Sequence, residues 1–272
     1  MSATSVSQDV NIDCRTSIGI SSANMRSHLD QLLQEALNHR ALKHSYLEAL
    51  ATGNVPDLRW AIKDFAHQYY GYSTYFPTFL NAVIYRLDRT EHREALLQNL
   101  DEETGNYPEE DLEVLANAGI EPDWIIGIPH PKLFQRFQKA LDLKEAALRR
   151  PELEVICWRN QLLSILSQGS MAEAVGALGL GTESIVSECY RPILQALSWL
   201  DDLSARDTVF FSMHTLVDDA HQETLLEIAA DLAYTSSGLH DLHKGMVSAL
   251  DLRARFWDWM YERALTQGKL ST

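Results

Sequence analysis

The chain has 272 residues, of which 46% are hydrophobic and 22% are charged, a composition typical of a globular protein with a sizeable core. Its 38 acidic and 23 basic residues give a formal net charge of -15, which disfavours nucleic acid or an anionic membrane as partner and favours a small-molecule substrate. The cysteines Cys14, Cys157 and Cys189 are scattered without a CxxC motif, so neither a disulfide framework nor a thiolate zinc site is indicated. We therefore expect a soluble cytoplasmic protein.

The pattern of apolar residues predicts an all-α protein. Residues 1–23 are rich in Ser, Thr and Asn and lack the features of a signal peptide, which predicts a disordered tail before a single domain over residues 24–272. Beyond the tail, apolar residues recur at helical spacing, and alternating β-branched runs are absent. Helices are predicted at 25–51, 57–88, 90–104, 108–118, 131–148, 152–168, 170–200, 204–235 and 237–267.

The second predicted helix contains a group of aromatic residues. The group includes Tyr69, Tyr70, Tyr72 and Phe76. They could line a substrate pocket, although packing in the core is the more common use of such residues. Pro77 should kink this helix.

An acidic run ends the helix predicted at 90–104. The apolar face through Leu96 and Leu100 continues to Glu103, whereas Glu102 turns away from it. Glu103 is therefore the stronger candidate for a buried acid. Taken alone, an acidic run such as Asp101–Glu103 is more often a solvated stretch before a helix end.

His130 lies between Pro129 and Pro131 at the start of an amphipathic segment. Two flanking prolines restrict the backbone, which suits a ligand presented from a loop. They also suit a simple helix entry, and the residues alone favour this second interpretation.

The helix predicted at 170–200 contains two glutamates on different faces. Glu183 shares its face with Gly176 and Gly179 and should be buried, whereas Glu188 lies with Arg191 on a solvated face. The glycines would let another helix or a substrate approach closely, or they serve packing alone.

In the helix predicted at 204–235, three ionisable residues, His214, Asp218 and His221, fall on the apolar face. Burying them without partners would cost on the order of several kcal/mol. His214 and Asp218, four residues apart, could point at one metal ion. A hydrogen-bonded His/Asp pair that stabilises a helix contact is an equal alternative.

Together these residues resemble the ligands of an oxygen-activating iron or manganese site. Buried Glu, Asp and His side chains suit iron or manganese better than thiolate zinc or calcium. Facing helices supply such ligands in di-iron bundles. The ExxH pair of ferritin-like bundles is absent, which indicates a different family.

Four motifs occur in one order along the chain and resemble the haem-oxygenase-like di-iron oxidase and oxygenase superfamily, whose members are often called iron-containing redox enzymes. The motifs are Asn99–Gly105, His130–Phe134, Gly179–Glu183 and His214–His221, and the resemblance covers about residues 30–235. It implies a haem-oxygenase-like helical bundle. It also implies that Glu103, His130, Glu183, His214 and Asp218 are iron ligands, with His221 as a nearby or supplementary residue.

The resemblance further implies the chemistry. Two Fe(II) ions and O2 would oxidise an amino acid or a similar small carboxylate in specialised biosynthesis, by N-oxygenation, desaturation, decarboxylation or C–C cleavage. A homodimer is expected on the same ground. Some members supply another glutamate from an early helix, where this chain has Gln68, so the second iron should be weakly held or asymmetric.

Three alternatives compete with this hypothesis. A non-catalytic helical interaction or regulatory protein would keep the bundle and some metal affinity. A haem oxygenase would use His39 or His44 as its proximal ligand but would not need the buried acids. A thiaminase-like hydrolase would need a nucleophilic cysteine, and neither Cys157 nor Cys189 lies in an evident nucleophile and base arrangement.

Overall fold

The computed structural model describes residues 22–143, 151–216, 218–235 and 237–266, without the side chains of residues 22–24 and 218–221. The predicted tail therefore falls outside the described residues, except that the backbone of residues 22 and 23 belongs to the first helix. No strand occurs in the described ranges, and the all-α prediction is confirmed.

The α-helices, in chain order, are α1 (Ser22–Asn38), α2 (Ser45–Ala51), α3 (Leu58–Ser73), α4 (Phe76–Ile84), α5 (Thr90–Glu102), α6 (Glu109–Asn117), α7 (His130–Ala140), α8 (Leu153–Gln168), α9 (Met171–Val175), α10 (Val186–Leu197), α11 (Val209–His214), α12 (Asp218–Ala233) and α13 (Gly238–Thr266). Short 3-10 turns lie at Pro122–Trp124 and Glu183–Ile185, and a π-helical segment lies at Gly176–Leu180. Within the described residues, no helix is long and apolar enough to cross a membrane.

Four predicted helices, at 25–51, 57–88, 170–200 and 204–235, were wrong as continuous elements. The first is divided where the His44 ring accepts a hydrogen bond from the Tyr46 amide and so caps α2. The second is divided at Thr74 and Tyr75, which places Pro77 in the first turn of α4, where its missing N–H costs no hydrogen bond.

The segment predicted as one helix at 170–200 changes its winding three times, from α9 through the π-helical segment and the 3-10 turn to α10. Gly176 and Gly181 face α13, which packs along α9, the π-helical segment and α8, whereas Gly179 faces Leu225 of α12. A Cβ on Gly176 would lie 2.0 Å from the Leu242 carbonyl oxygen, and one on Gly245 would lie 1.9 Å from the Glu173 carbonyl oxygen. The two backbones therefore meet in direct contact, so the glycines serve a helix contact.

One contiguous cluster of buried residues fills the space between these helices. Its largest fully buried side chains are aromatic, namely Trp257, Tyr46, Tyr69, Phe65, Phe79, Phe134, Phe137 and Phe211. The functional side chains described below lie against this aromatic core.

We predict that Gly245→Ala lowers the free energy of unfolding by about 1–2 kcal/mol. The added methyl group must push two backbones apart, and this outweighs the gain of roughly 1 kcal/mol in helix propensity. Chemical denaturation followed by circular dichroism measures the change. The control is Arg255→Ala, an exposed position on the same helix. A Gly245→Ala protein as stable as the original would contradict the close contact.

Candidate metal centre

Glu103 and His130 form the centre of a polar cluster. Glu103 caps the C-terminal end of α5 and His130 begins α7. Their side chains are only 7% and 4% exposed. His130 Nδ1 lies 2.9 Å from Glu103 Oε1, yet it makes no hydrogen bond of acceptable geometry.

Backbone contacts explain how these residues meet across a long connection. The His130 amide donates to the Glu103 carbonyl at 3.0 Å, and the Gly127 amide donates to the Gly105 carbonyl at 2.9 Å. Gly105 has φ +96°, and a Cβ there would lie 2.4 Å from the Ile128 nitrogen, so only glycine fits. The connection from Glu103 to His130, which includes α6, therefore forms a long loop whose two ends are hydrogen-bonded to each other at the cluster.

His214, at the end of α11, completes the cluster. One ligand atom each from Glu103, His130 and His214 lies within 4.8 Å of the other two. The two imidazole rings pack edge to face, with centroids 4.8 Å apart. Three elements distant in sequence thus bring a carboxylate and two imidazoles to one point.

Hydrogen bonds orient both imidazole rings. His214 Nδ1 lies 2.6 Å from the Phe210 carbonyl oxygen, which can only accept, so Nδ1 carries the proton and Nε2 offers a lone pair. His130 Nε2 lies 2.9 Å from the Tyr107 hydroxyl, which donates in turn to Met213 Sδ at 3.9 Å. In this arrangement His130 donates from Nε2 and turns the lone pair of Nδ1 toward Glu103.

Tyr107 stays neutral in this arrangement. Burial raises the pKa of its hydroxyl, and the nearby carboxylates of Glu103 and Glu102 raise the pKa further. It therefore acts as a hydrogen-bonding partner that sets the ring of His130, the usual function of a group behind a metal-bound histidine.

The cluster opens into a small cavity. Its lining includes Glu103, His130 and His214, the fourth predicted ligand Glu183, the predicted pocket residues Tyr69, Tyr72 and Phe76, and also Ser73, Pro131, Thr182, Val186, Tyr190, Phe210 and Arg253. The free volume is about 40 Å³, and a buried water needs about 10–15 Å³. The cavity therefore has room for metal ions and water, and a larger molecule requires side chains to move.

Glu183 reaches the cavity from the 3-10 turn after the π-helical segment. The Thr182 hydroxyl preceding it donates to the Ala177 carbonyl at 2.9 Å, which ties the turn back to that segment. Glu183 is 5% exposed, and Glu188 is exposed and paired with Arg191, so the predicted division of these acids between a buried and a solvated face is confirmed.

The helix predicted at 204–235 was wrong as one continuous element. Thr215 and Leu216 form a turn after α11, and Asp218 begins a new helix. The Thr215 hydroxyl and the His214 imidazole donate hydrogen bonds to carbonyl oxygens of the preceding turn. These bonds compete with the helical hydrogen bonds of the backbone. The side chains of Asp218 and His221 lie outside the described part of the structure, so their predicted functions stay predictions.

The structure does not bring Gln68 into the cavity. This side chain is buried. Its amide hydrogen-bonds to Asp64 and accepts from the Glu152 amide, each at 3.4 Å. Gln68 points to a neighbouring face of α3, about 100° from Tyr69, which does line the cavity.

The sequence-based interpretation also misjudged or omitted three residues near the site. Glu102 is 4% exposed, although its position on α5 predicted that it turns away from the buried face. Tyr107 follows the helix end and has no periodic signal. Arg253 did carry a signal, since it shares the buried face of α13 with Met246 and Trp257.

The residues that a haem oxygenase or a thiaminase-like hydrolase would need have other surroundings in this structure. His44 caps α2 and lies 2.9 Å from Asp258, and His39 lies 3.4 Å from Asp251, so both are engaged in structural pairs. Burial raises the pKa of the Cys189 thiol, which opposes nucleophilic chemistry.

The donor set fits iron. Two imidazole nitrogens and one carboxylate oxygen are the facial ligands of non-haem Fe(II) oxygenases. The close but misaligned approach of His130 Nδ1 and Glu103 Oε1 suits two donors that share a cation better than it suits a hydrogen bond. Glu103, His130 and His214 would hold the ion, and Glu183 would face it across the cavity.

The sequence profile of the iron-containing redox enzymes matches residues 63–254, more than two thirds of the chain. The chain belongs to this family, and the resemblance predicted from the four motifs is confirmed. No curated protein matches the sequence.

Solved structures show the same fold at low identity. A CADD-like protein of unknown function from Nostoc punctiforme PCC 73102 has a TM-score of 0.70 and 17% identity, over 90% of this chain and 100% of that chain. A TenA homolog from Pseudomonas syringae pv. tomato has a TM-score of 0.64 and 14% identity, over 89% and 96%. A domain of unknown function with a heme oxygenase-like fold from Shewanella denitrificans has a TM-score of 0.59 and 15% identity, over 90% and 93%. The chain has a haem-oxygenase-like fold.

We predict that Tyr107→Phe weakens Fe(II) binding about 10- to 100-fold while the protein stays folded. The substitution removes only the hydroxyl that orients His130, and loss of such a group typically has this effect. Competition with a chromophoric chelator measures the affinity. Tyr85→Phe, at a 90% exposed position, is the matched control. Equal affinities of the two variants would contradict the assigned function of Tyr107.

Proposed function

We propose that the chain is an O2-dependent oxidase or oxygenase with a non-haem di-iron centre that acts on an amino acid or a similar small carboxylate. One observation carries this proposal, namely that ligand atoms of Glu103, His130 and His214 converge within 4.8 Å inside the core. The iron-containing redox family of the chain supports the choice of metal.

The residues around the cluster suit this chemistry. Iron, when bound, supplies the capacity to reduce O2. The carboxylates of Glu103 and Glu183 stabilise the higher positive charge of oxidised metal, and the neutral imidazoles maintain the geometry. Glu183 lines the cavity without belonging to the three-residue cluster, which favours it as a ligand of a second ion.

The walls of the cavity limit the reaction to small substrates. Tyr69, Tyr72, Phe76 and Phe210 line the cavity with aromatic rings, which leave little space for water. The free volume of about 40 Å³ is below the range of roughly 300–1,000 Å³ typical of drug-sized ligands. A compact substrate therefore needs the least rearrangement of the aromatic side chains.

Metal loading followed by oxygen uptake tests the proposal. We expect the purified protein to bind about two Fe(II) ions per chain and then to consume O2, and removal of iron by a chelator should abolish the uptake. Elemental analysis and an oxygen electrode measure the two quantities. A protein that binds no iron and consumes no O2 would support the alternative, a helical interaction or regulatory protein.

Substitutions of the cavity acids separate the ligands. Glu183→Gln preserves size but removes the charge, and we expect it to lower bound iron by about one ion per chain and oxygen uptake at least tenfold. Glu188→Gln is the matched control on the same segment, because Glu188 is solvated. Circular dichroism checks the fold of both. The assignment of Glu183 fails if both variants retain the iron content of the unaltered protein.

The third cluster residue is tested separately. His214→Ala should lose most bound iron and oxygen uptake, because it removes one of the three converging ligands, while the melting temperature of the metal-free protein changes little. His243→Ala, on the exposed part of α13, is its control. Full iron content and activity in the His214→Ala protein would show that α11 is not part of the centre.

A further inference from the structure

A buried arginine lies in the wall of the same cavity. Arg253, on α13, is 2% exposed. Its guanidinium donates to the Tyr69 hydroxyl and to the Tyr72 hydroxyl, each at 3.2 Å. Among the described side chains, no carboxylate forms an ion pair with it. Arginine keeps its charge at every accessible pH, so a buried positive charge faces the cavity without a direct counter-ion.

The groups that contact the guanidinium directly are neutral, and the Glu183 carboxylate acts on the Tyr72 hydroxyl beside it. Burial raises the pKa of the hydroxyls of Tyr69 and Tyr72 and of the Cys189 thiol, so none of them supplies a negative charge at neutral pH. The guanidinium has five N–H donors. Tyr69 and Tyr72 accept from two of them, Cys189 is a further hydrogen-bond partner, and Nε has no hydrogen-bond partner. Both charge and donors remain for a ligand.

The position of Arg253 relates it to the metal cluster. The Tyr69 hydroxyl, which accepts from Arg253, lies 3.1 Å from the Tyr190 hydroxyl, and the Tyr190 ring lies 5.8 Å from the His214 ring between centroids. Two tyrosines therefore separate the cation from the cluster. A molecule in the cavity could contact the guanidinium at one end and the cluster at the other.

From this placement we propose that Arg253 binds the carboxylate of the substrate and so directs the rest of that molecule toward the metal cluster. A planar guanidinium with adjacent free donors matches a carboxylate in a bidentate arrangement. A single cation with two neutral hydroxyls suits a monoanion better than a phosphate dianion. The part of this inference that concerns a reacting substrate rests on the proposed function. The binding of an anion by Arg253 depends on the cavity alone.

Ligand titration of the full-length protein, with Fe(II) and after its removal, tests this binding. The probes are propionate, the neutral isostere propionamide and inorganic phosphate, at constant ionic strength. Tryptophan fluorescence reports binding, because the guanidinium lies 5.5 Å from the Trp158 ring centroid. We expect propionate to bind the metal-free protein at least tenfold more tightly than either other probe.

Variants then assign the binding to Arg253. Arg253→Met should weaken propionate binding at least tenfold, and Arg253→Lys, which keeps the charge but not the planar donors, at least threefold. The control variant Arg255→Met changes an exposed residue of the same helix. It should bind propionate as tightly as the unaltered protein does. If Arg253→Met does not fold, Arg253→Lys carries the comparison. Unchanged propionate affinity in either folded Arg253 variant overturns the proposal, as does tighter binding of phosphate or propionamide.

Two readouts separate this proposal from the proposed function. Loss of iron from Arg253→Met with unchanged propionate affinity would show that the arginine balances the metal ligands, which overturns carboxylate binding. Absence of iron and oxygen uptake in the unaltered protein would contradict the oxidase alone, because the propionate titration of the metal-free protein does not depend on either.

Discussion

The burial of charged groups in an apolar core constrains the whole structure. Glu103, Glu183, His130 and Arg253 are each at most 7% exposed, and an ionised group without a partner in such surroundings costs on the order of several kcal/mol. The bundle meets this constraint by collecting the groups around one cavity. There the carboxylates and imidazoles share a position suited to a cation, and the guanidinium lies in the wall, where neutral hydroxyls accept from it.

Backbone contacts between distant segments place these groups. The hydrogen bonds that join Gly105 and Gly127, and Glu103 and His130, return the chain to α5 after α6. The contact of α13 with the π-helical segment brings Arg253 to the same cavity as Glu183. Both arrangements depend on glycine where a methyl group would meet another backbone. The cavity is therefore built from main-chain geometry first and side chains second.

The two ends of the cavity differ in charge, so one end suits a metal ion and the other suits an anionic group. The cluster of Glu103, His130 and His214 has the donor atoms that iron prefers, whereas Arg253 has the charge and donors that attract a carboxylate. Tyr69 and Tyr190 lie between the two ends and are linked by their hydroxyls. Such a cavity would orient a small molecule by its anionic group. The chain belongs to the iron-containing redox enzymes, and this orientation would turn the rest of the molecule toward the iron.

The sequence by itself determined the helical class, the burial of Glu103 and Glu183 and the exposure of Glu188, because helical periodicity records which face of an element avoids water. The sequence could not determine where the helices break. The breaks depend on side-chain hydrogen bonds at Thr215 and on the position of Pro77 in its helix, and both act within a single helical turn. Tertiary structure alone decided that Glu102 is covered, that Gln68 points elsewhere and that Tyr107 supports His130. Periodicity describes a residue relative to its own helix, and these outcomes depend on which other segment packs against it.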